Sequence, residues 1–153
     1  MDSDRLIAWD AELRGVHSRL REALAVTQEA VAAGTAAPDA ASDLLLYCTG
    51  FCVALDGHHR SEDAALFPAL AAEHPELAPA IEKLMQDHSM LSQLLGALRT
   101  AAERQEDTAA IRGHLDGISA IMESHFRYEE REILEPLSSL RLSADPADVL
   151  GPL

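Results

Sequence analysis

Gly57-His58-His59-Arg60-Ser61-Glu62-Asp63-Ala64-Ala65-Leu66-Phe67-Pro68 sets two histidines and two acids directly ahead of an apolar end. A second stretch, His125-Phe126-Arg127-Tyr128-Glu129-Glu130-Arg131-Glu132-Ile133-Leu134, follows the same plan. Both contain His-x-x-x-Glu with a further acid behind the Glu. On a helix, residues four apart stand one above the other on one face, about 6 Å along the axis. Two such pairs facing each other make a pocket of imidazoles and carboxylates. A bundle of helices is the architecture that lets them face each other.

The 153 residues are 48% hydrophobic, enough for one domain with a real core. Ala and Leu dominate, aromatics are only 4%, and β-branched residues are sparse, which favours helix over sheet. The formal charge is −14, spread along the chain. Such a surface repels nucleic-acid phosphates and anionic membranes, and neither is expected as a partner. No apolar run approaches the ~20 residues of a membrane span, and Met1-Asp2-Ser3-Asp4 is unlike a secretory leader, so a cytoplasmic location is expected. Cys48 and Cys52 lack the spacing and companions of a zinc site and read as small buried apolar residues.

Four long segments carry helical periodicity. The first runs from about residue 3 to 33, with Asp2 or Ser3 as N-cap, and presents Leu6, Trp9, Leu13, Val16, Leu20, Leu24 and Val31. Gly34 to Pro38 ends it. The second reaches about residue 73 and presents Leu44, Cys48, Phe51, Leu55, His58, Glu62, Ala65 and Ala69. Pro68 is expected to bend or distort it. The third, to about residue 106, presents Leu77, Ile81, Leu84, His88, Leu91, Leu95, Leu98 and Ala102. The fourth, to about residue 137, presents Ile111, Leu115, Ile118, Met122, His125, Glu129 and Ile133, with the N-cap in Glu106-Asp107-Thr108. Short connections favour an all-α, antiparallel up-down-up-down four-helix bundle over residues 1–137, with 138–153 as a tail that packs only partly. The chain also looks duplicated: His17-Ser18-Arg19-Leu20 parallels His88-Ser89-Met90-Leu91.

His58, Glu62, His88, His125 and Glu129 all fall where the spacing asks for leucine, and His17 joins the series of Leu13, Leu20 and Leu24. One inward histidine is usually an ordinary, hydrogen-bonded core residue. Two inward carboxylates are different, because an unpaired buried ion costs several kcal/mol. With no Lys or Arg on those faces, a metal cation is the economical partner. Four imidazoles and two carboxylates exceed the four ligands of one zinc and are too nitrogen-rich for Ca²⁺ or Mg²⁺. Two metals bridged by carboxylates fit, and the mixed N/O set suits iron.

His17, His58-x-x-x-Glu62, His88 and His125-x-x-x-Glu129, with Glu62-Asp63 running on to Leu66-Phe67-Pro68, resemble the pattern of hemerythrin-like (HHE cation-binding) domains over about residues 5–137. The resemblance implies a four-helix bundle with a non-haem, oxo- or hydroxo-bridged pair of iron ions. It also implies that the histidines complete the coordination and the two Glu residues bridge. Ferritin-like di-iron bundles use Glu-x-x-His, which is absent here. The oxygen-carrying hemerythrins have a further histidine where this chain has Ser92, and a longer His-to-acid spacing on the last helix. Tyr47, about three turns before His58, is either a core aromatic or a phenolate ligand, or a hydrogen-bond donor behind the ligands, in place of that histidine. His59 and Asp63, one position on from the His58/Glu62 pair, are expected at the rim or as partners behind the ligands. Glu130 and Glu132 are expected at the bundle edge, and His74 and His114 at the surface. The implied function is redox handling or detoxification of peroxide, O2 or nitric oxide. The alternative is a protein that reversibly binds O2 or NO, or that stores or senses iron. Its partners are then a small oxidant or gas, and a monomer or weak homo-oligomer is expected.

Overall fold

The computed structural model describes residues 7–33 and 40–152. The expected caps Asp2 and Ser3, the break at 34–38 and the side chains of Leu6 and Leu44 lie outside them. The described residues form helices and no strands: α1 Trp9–Ala33, α2 Ala40–Ser61, α3 Phe67–Glu73, α4 Ala78–Glu103, α5 Thr108–Ser138 and α6 Pro146–Leu150. They pack as a helical bundle. α1 lies against α2 and α5, and α4 lies against the same two, so the four long helices close a ring around one core.

Local chemistry explains the boundaries. Asp107 has extended backbone and accepts from the Ala110 N–H at 2.8 Å, capping α5. Gln105, at φ 53°, turns the chain between α4 and α5. His74 leaves helical geometry just before Pro75, whose 3-10 turn Pro75–Leu77 leads into α4 with Pro79 in its first turn. The inward face of each long helix is the one periodicity named: Leu13, Leu20 and Leu24 on α1, Cys48, Phe51 and Leu55 on α2, Leu84, Leu91 and Leu98 on α4, and Ile111, Leu115 and Ile118 on α5 are all buried. Each fully buried Leu contributes about 1.5–3 kcal/mol.

Two features position the site. First, α2 does not run on unbroken. Glu62–Leu66 widens into a π-helical turn in which the Phe67 N–H reaches back to the Glu62 carbonyl. A proline ring collides with the carbonyl four residues before it in a regular helix, and the widened turn just ahead of Pro68 relieves that conflict; such turns are frequent at functional sites. Second, the segment after Ser138 packs far more fully than expected. Leu140, Val149 and Leu150 are buried, and α6 lies on α1, α2 and the π turn. The Trp9 Nε1–H donates to the Leu142 carbonyl at 3.0 Å. That segment carries apolar residues spaced too irregularly for periodicity to reveal.

Candidate metal centre

Midway along the bundle the leucine layers give way to a polar one. α1 contributes His17, α2 contributes His58 and His59, the π turn contributes Glu62, α4 contributes His88, and α5 contributes His125 and Glu129. All seven are buried, Glu62 and Glu129 completely. Their donor atoms fall into two groups, His59, Glu62, His88 and His125 in one and His17, His58 and Glu129 in the other, with the atoms in each within 4.8 Å of one another.

The carboxylates join the groups. Glu129 has Oε1 at 3.3 Å from His17 Nε2 and Oε2 at 3.3 Å from His125 Nε2. Glu62 Oε1 lies 3.3 Å from the Nε2 atoms of both His58 and His88. Each acid therefore touches a histidine of both groups. A spacing of 3.3 Å is long for a hydrogen bond to a carboxylate. It suits two donors sharing one ion, since ligands about 2.1 Å from a metal stand about 3.0–3.4 Å apart.

Behind the rings stands a set of acceptors. The Nδ1–H of His88 donates to Asp63 Oδ1 at 2.8 Å, that of His125 to Asp87 Oδ2 at 3.0 Å, and that of His58 to the Leu150 carbonyl at 2.7 Å. His17 Nδ1 faces Glu130 Oε1 at 3.5 Å, and Glu130 is steadied by Arg21 at 3.8 Å. These partners favour the tautomer that leaves Nε2 bare toward the centre. Phe126 stacks on His17 at 3.8 Å and His59 on His88 at 3.9 Å, which excludes solvent from the layer.

The donor set fits a cation on a specific observation. Ten buried side-chain N and O atoms of the described residues lack a hydrogen-bond partner. Every one belongs to these seven residues. Buried polar atoms are almost always paired, and each unpaired one costs about 1–3 kcal/mol. Nine of them, all but the outward His17 Nδ1, are Nε2 atoms and carboxylate oxygens gathered in one layer, a coordination sphere rather than a packing error.

Electrostatics without the cation are correspondingly frustrated. Burial lowers His58 to about 3 and His59 well below the ordinary range, so both rings are neutral. Burial also works against a charged His17, but the Glu129 and Glu130 carboxylates, 3.3 and 3.5 Å away, outweigh that and raise it. Burial, reinforced by the neighbouring Glu129 charge, raises Glu62 well above the usual carboxylate range. Burial opposes ionisation of Glu129 too, yet the Glu62, His125 and His17 side chains close to its carboxylate bring it well below that range. One acid thus keeps a proton while the other is ionised.

All six inward histidines and glutamates that the spacing singled out meet in this layer. Two expectations do not survive. Tyr47 is 44% exposed on the outer side of α2, and its eleven residues of helix rise hold it about 16 Å from His58. His59, expected at the rim or behind the ligands, is buried in the four-donor group. Residues one apart on a helix diverge by 100°, but α2 faces two neighbours, so His58 turns toward α1 while His59 turns toward α4 and α5. His59 thereby brings the fifth imidazole; Ser92, where the oxygen carriers have theirs, is exposed. Asp63 and Asp87 act from behind the rings. Asp87 carries no helical-spacing signal, because it serves His125 on another helix rather than its neighbour His88. Glu130, 24% exposed, stands behind His17.

A family model described as the hemerythrin HHE cation binding domain matches residues 10–137. No curated protein and no solved structure gave a match.

Proposed function

Since the chain belongs to the hemerythrin HHE cation-binding family, we propose that the seven-residue layer is a two-iron centre that handles a small oxidant or gas: peroxide, O2 or nitric oxide. The observation that carries the reading is the concentration of all ten orphaned atoms in this layer. His59, His88 and His125 would hold one ion and His17 and His58 the other, with Glu62 and Glu129 shared between them. We read the bundle as an antiparallel up-down-up-down four-helix one, in which every helix lends the layer at least one donor. Iron bound there supplies electrons through its change of oxidation state.

The protein's own residues set the terms of that chemistry. Burial of all seven donors restricts access to molecules of a few atoms. Phe126, stacked on His17, keeps bulk water from that side. Asp63, Asp87 and the Leu150 carbonyl hold protons on Nδ1 and keep each Nε2 free to bind. Glu62, protonated in the absence of a cation, releases its proton as the site fills. The protein is further read as cytoplasmic, monomeric or weakly self-associating, and active in redox defence.

Iron-loaded protein mixed with peroxide, or anaerobically with nitric oxide and an excess of an added electron donor, tests the reading. Catalytic consumption over many turnovers is expected, and it should vanish in His88→Ala. A stable spectrum that reverses when the gas is removed, with no turnover, would replace the enzyme by a binding protein.

A further inference from the structure

The family match stops at residue 137, yet the chain beyond it returns to the centre. Asp145 caps α6 by accepting from the Ala147 N–H at 3.0 Å. The helix buries Val149 and Leu150 and ends at Gly151, whose φ is +93°. That left-handed turn suits glycine, and the space does too. A Cβ built there would stand 3.0 Å from His58 Cα and 3.1 Å from His58 N. The backbone of the segment therefore lies directly on the backbone of α2 at the His58 position. From there the Leu150 carbonyl takes the His58 Nδ1–H at 2.7 Å.

We propose that Pro146–Gly151 is a strap that positions His58, and that it makes the two metal positions unequal. The proposal rests on the two-metal reading given above. Leu150 is the positioning residue and acts through its main-chain oxygen. His88 and His125, in the four-donor group, are backed by the carboxylates of Asp63 and Asp87. Those acids lie inside the matched region and are held on helical elements of the bundle. His58, in the three-donor group, is backed by a neutral carbonyl on a five-residue helix outside that region. A carbonyl raises the basicity of an imidazole less than a carboxylate does. Glu130 stands 3.5 Å behind His17, but the three-donor position is the one that depends on the strap, and it exists in full only while the strap is docked. Losing a partner behind a ligand typically costs about 10–100-fold in metal affinity.

Gly151→Val forces a side chain against His58 Cα, and Asp145→Ala loosens the strap more gently by removing the cap of α6. Each full-length variant is first checked for wild-type helicity by circular dichroism. Ferrous iron is then titrated anaerobically against a competing chelator, and the His58 ring is read by nitrogen NMR of metal-free protein. Wild type should bind two ions. Each variant should keep one and bind the other about 10–100-fold more weakly, with Gly151→Val the more severe, while His58 leaves the pure Nδ1–H tautomer. Two ions at wild-type affinity, equal weakening of both positions, or an unchanged His58 tautomer would overturn the strap. Wild-type protein that takes up no iron would instead overturn the metal reading, and the tautomer would still decide whether the strap positions His58.

Discussion

Glu62→Leu combined with Glu129→Leu should abolish metal binding and make the metal-free protein more stable. Both positions belong to leucine by helical register, and both side chains are fully buried. Replacing buried ionisable groups by apolar ones of similar size is commonly neutral to stabilising by about 1–4 kcal/mol. For a chain of this length that is roughly 2–16 °C in melting temperature. A structural role makes the opposite forecast. If the acids served to pair with protonated histidines and strengthen the core, removing them would cost about 3–5 kcal/mol. Chemical denaturation of metal-free wild type and double variant therefore separates a site kept for a ligand from one kept for stability. A double variant that is less stable, or that still binds iron, contradicts the account.

Loading the wild-type protein should produce a comparably large shift. A ligand that binds only the folded chain at 1,000 times its dissociation constant adds about 4 kcal/mol, or roughly 8–16 °C per ion. Calorimetry with iron, and again after chelation, measures it; an unchanged transition would contradict the account. The effect should also grow with pH. His17 and Glu62 have raised pKa values in the metal-free fold, so they keep protons above the ordinary histidine and carboxylate values and must release them on loading. Rising pH removes that competition, and His17 extends it past pH 6.5. His58 and His59 are already neutral and Glu129 already ionised, so they add no competition near neutrality. Falling pH works in reverse and should empty the centre by about pH 4.

Periodicity disclosed much of this because the same rule governs packing and chemistry. A polar residue at a leucine position has to be satisfied, and His17, His58, Glu62, His88, His125 and Glu129 could be picked out on that ground alone. The rule misled where a helix buries a wider arc than one stripe. Val16 with His17, Phe51 with Cys52, Leu66 with Phe67, and His125 with Phe126 are adjacent pairs buried together. His58 with His59 is one more. Aligning His125-Phe126 with His58-His59 carried the signal, since an inward Phe126 implies an inward His59. Tyr47 failed for the complementary reason. Sharing a face with His58 sets direction, but three turns of rise set a distance that a tyrosine cannot span.

The remaining features depend on contacts distant in sequence. Asp87 reaches His125 across two helices, and Leu150 reaches His58 with a backbone atom that no side-chain pattern can announce. The widened turn at Glu62–Leu66 could be foreseen as a distortion near Pro68, though not as a π turn that starts at a ligand.

Metal content is the most direct measurement of the central claim. Protein purified after expression in iron-replete medium, or reconstituted with ferrous iron and freed of excess, should carry two iron ions per chain by elemental analysis. Two per chain is the predicted result. A folded chain with none, or a single ion that persists in His88→Ala, would contradict it.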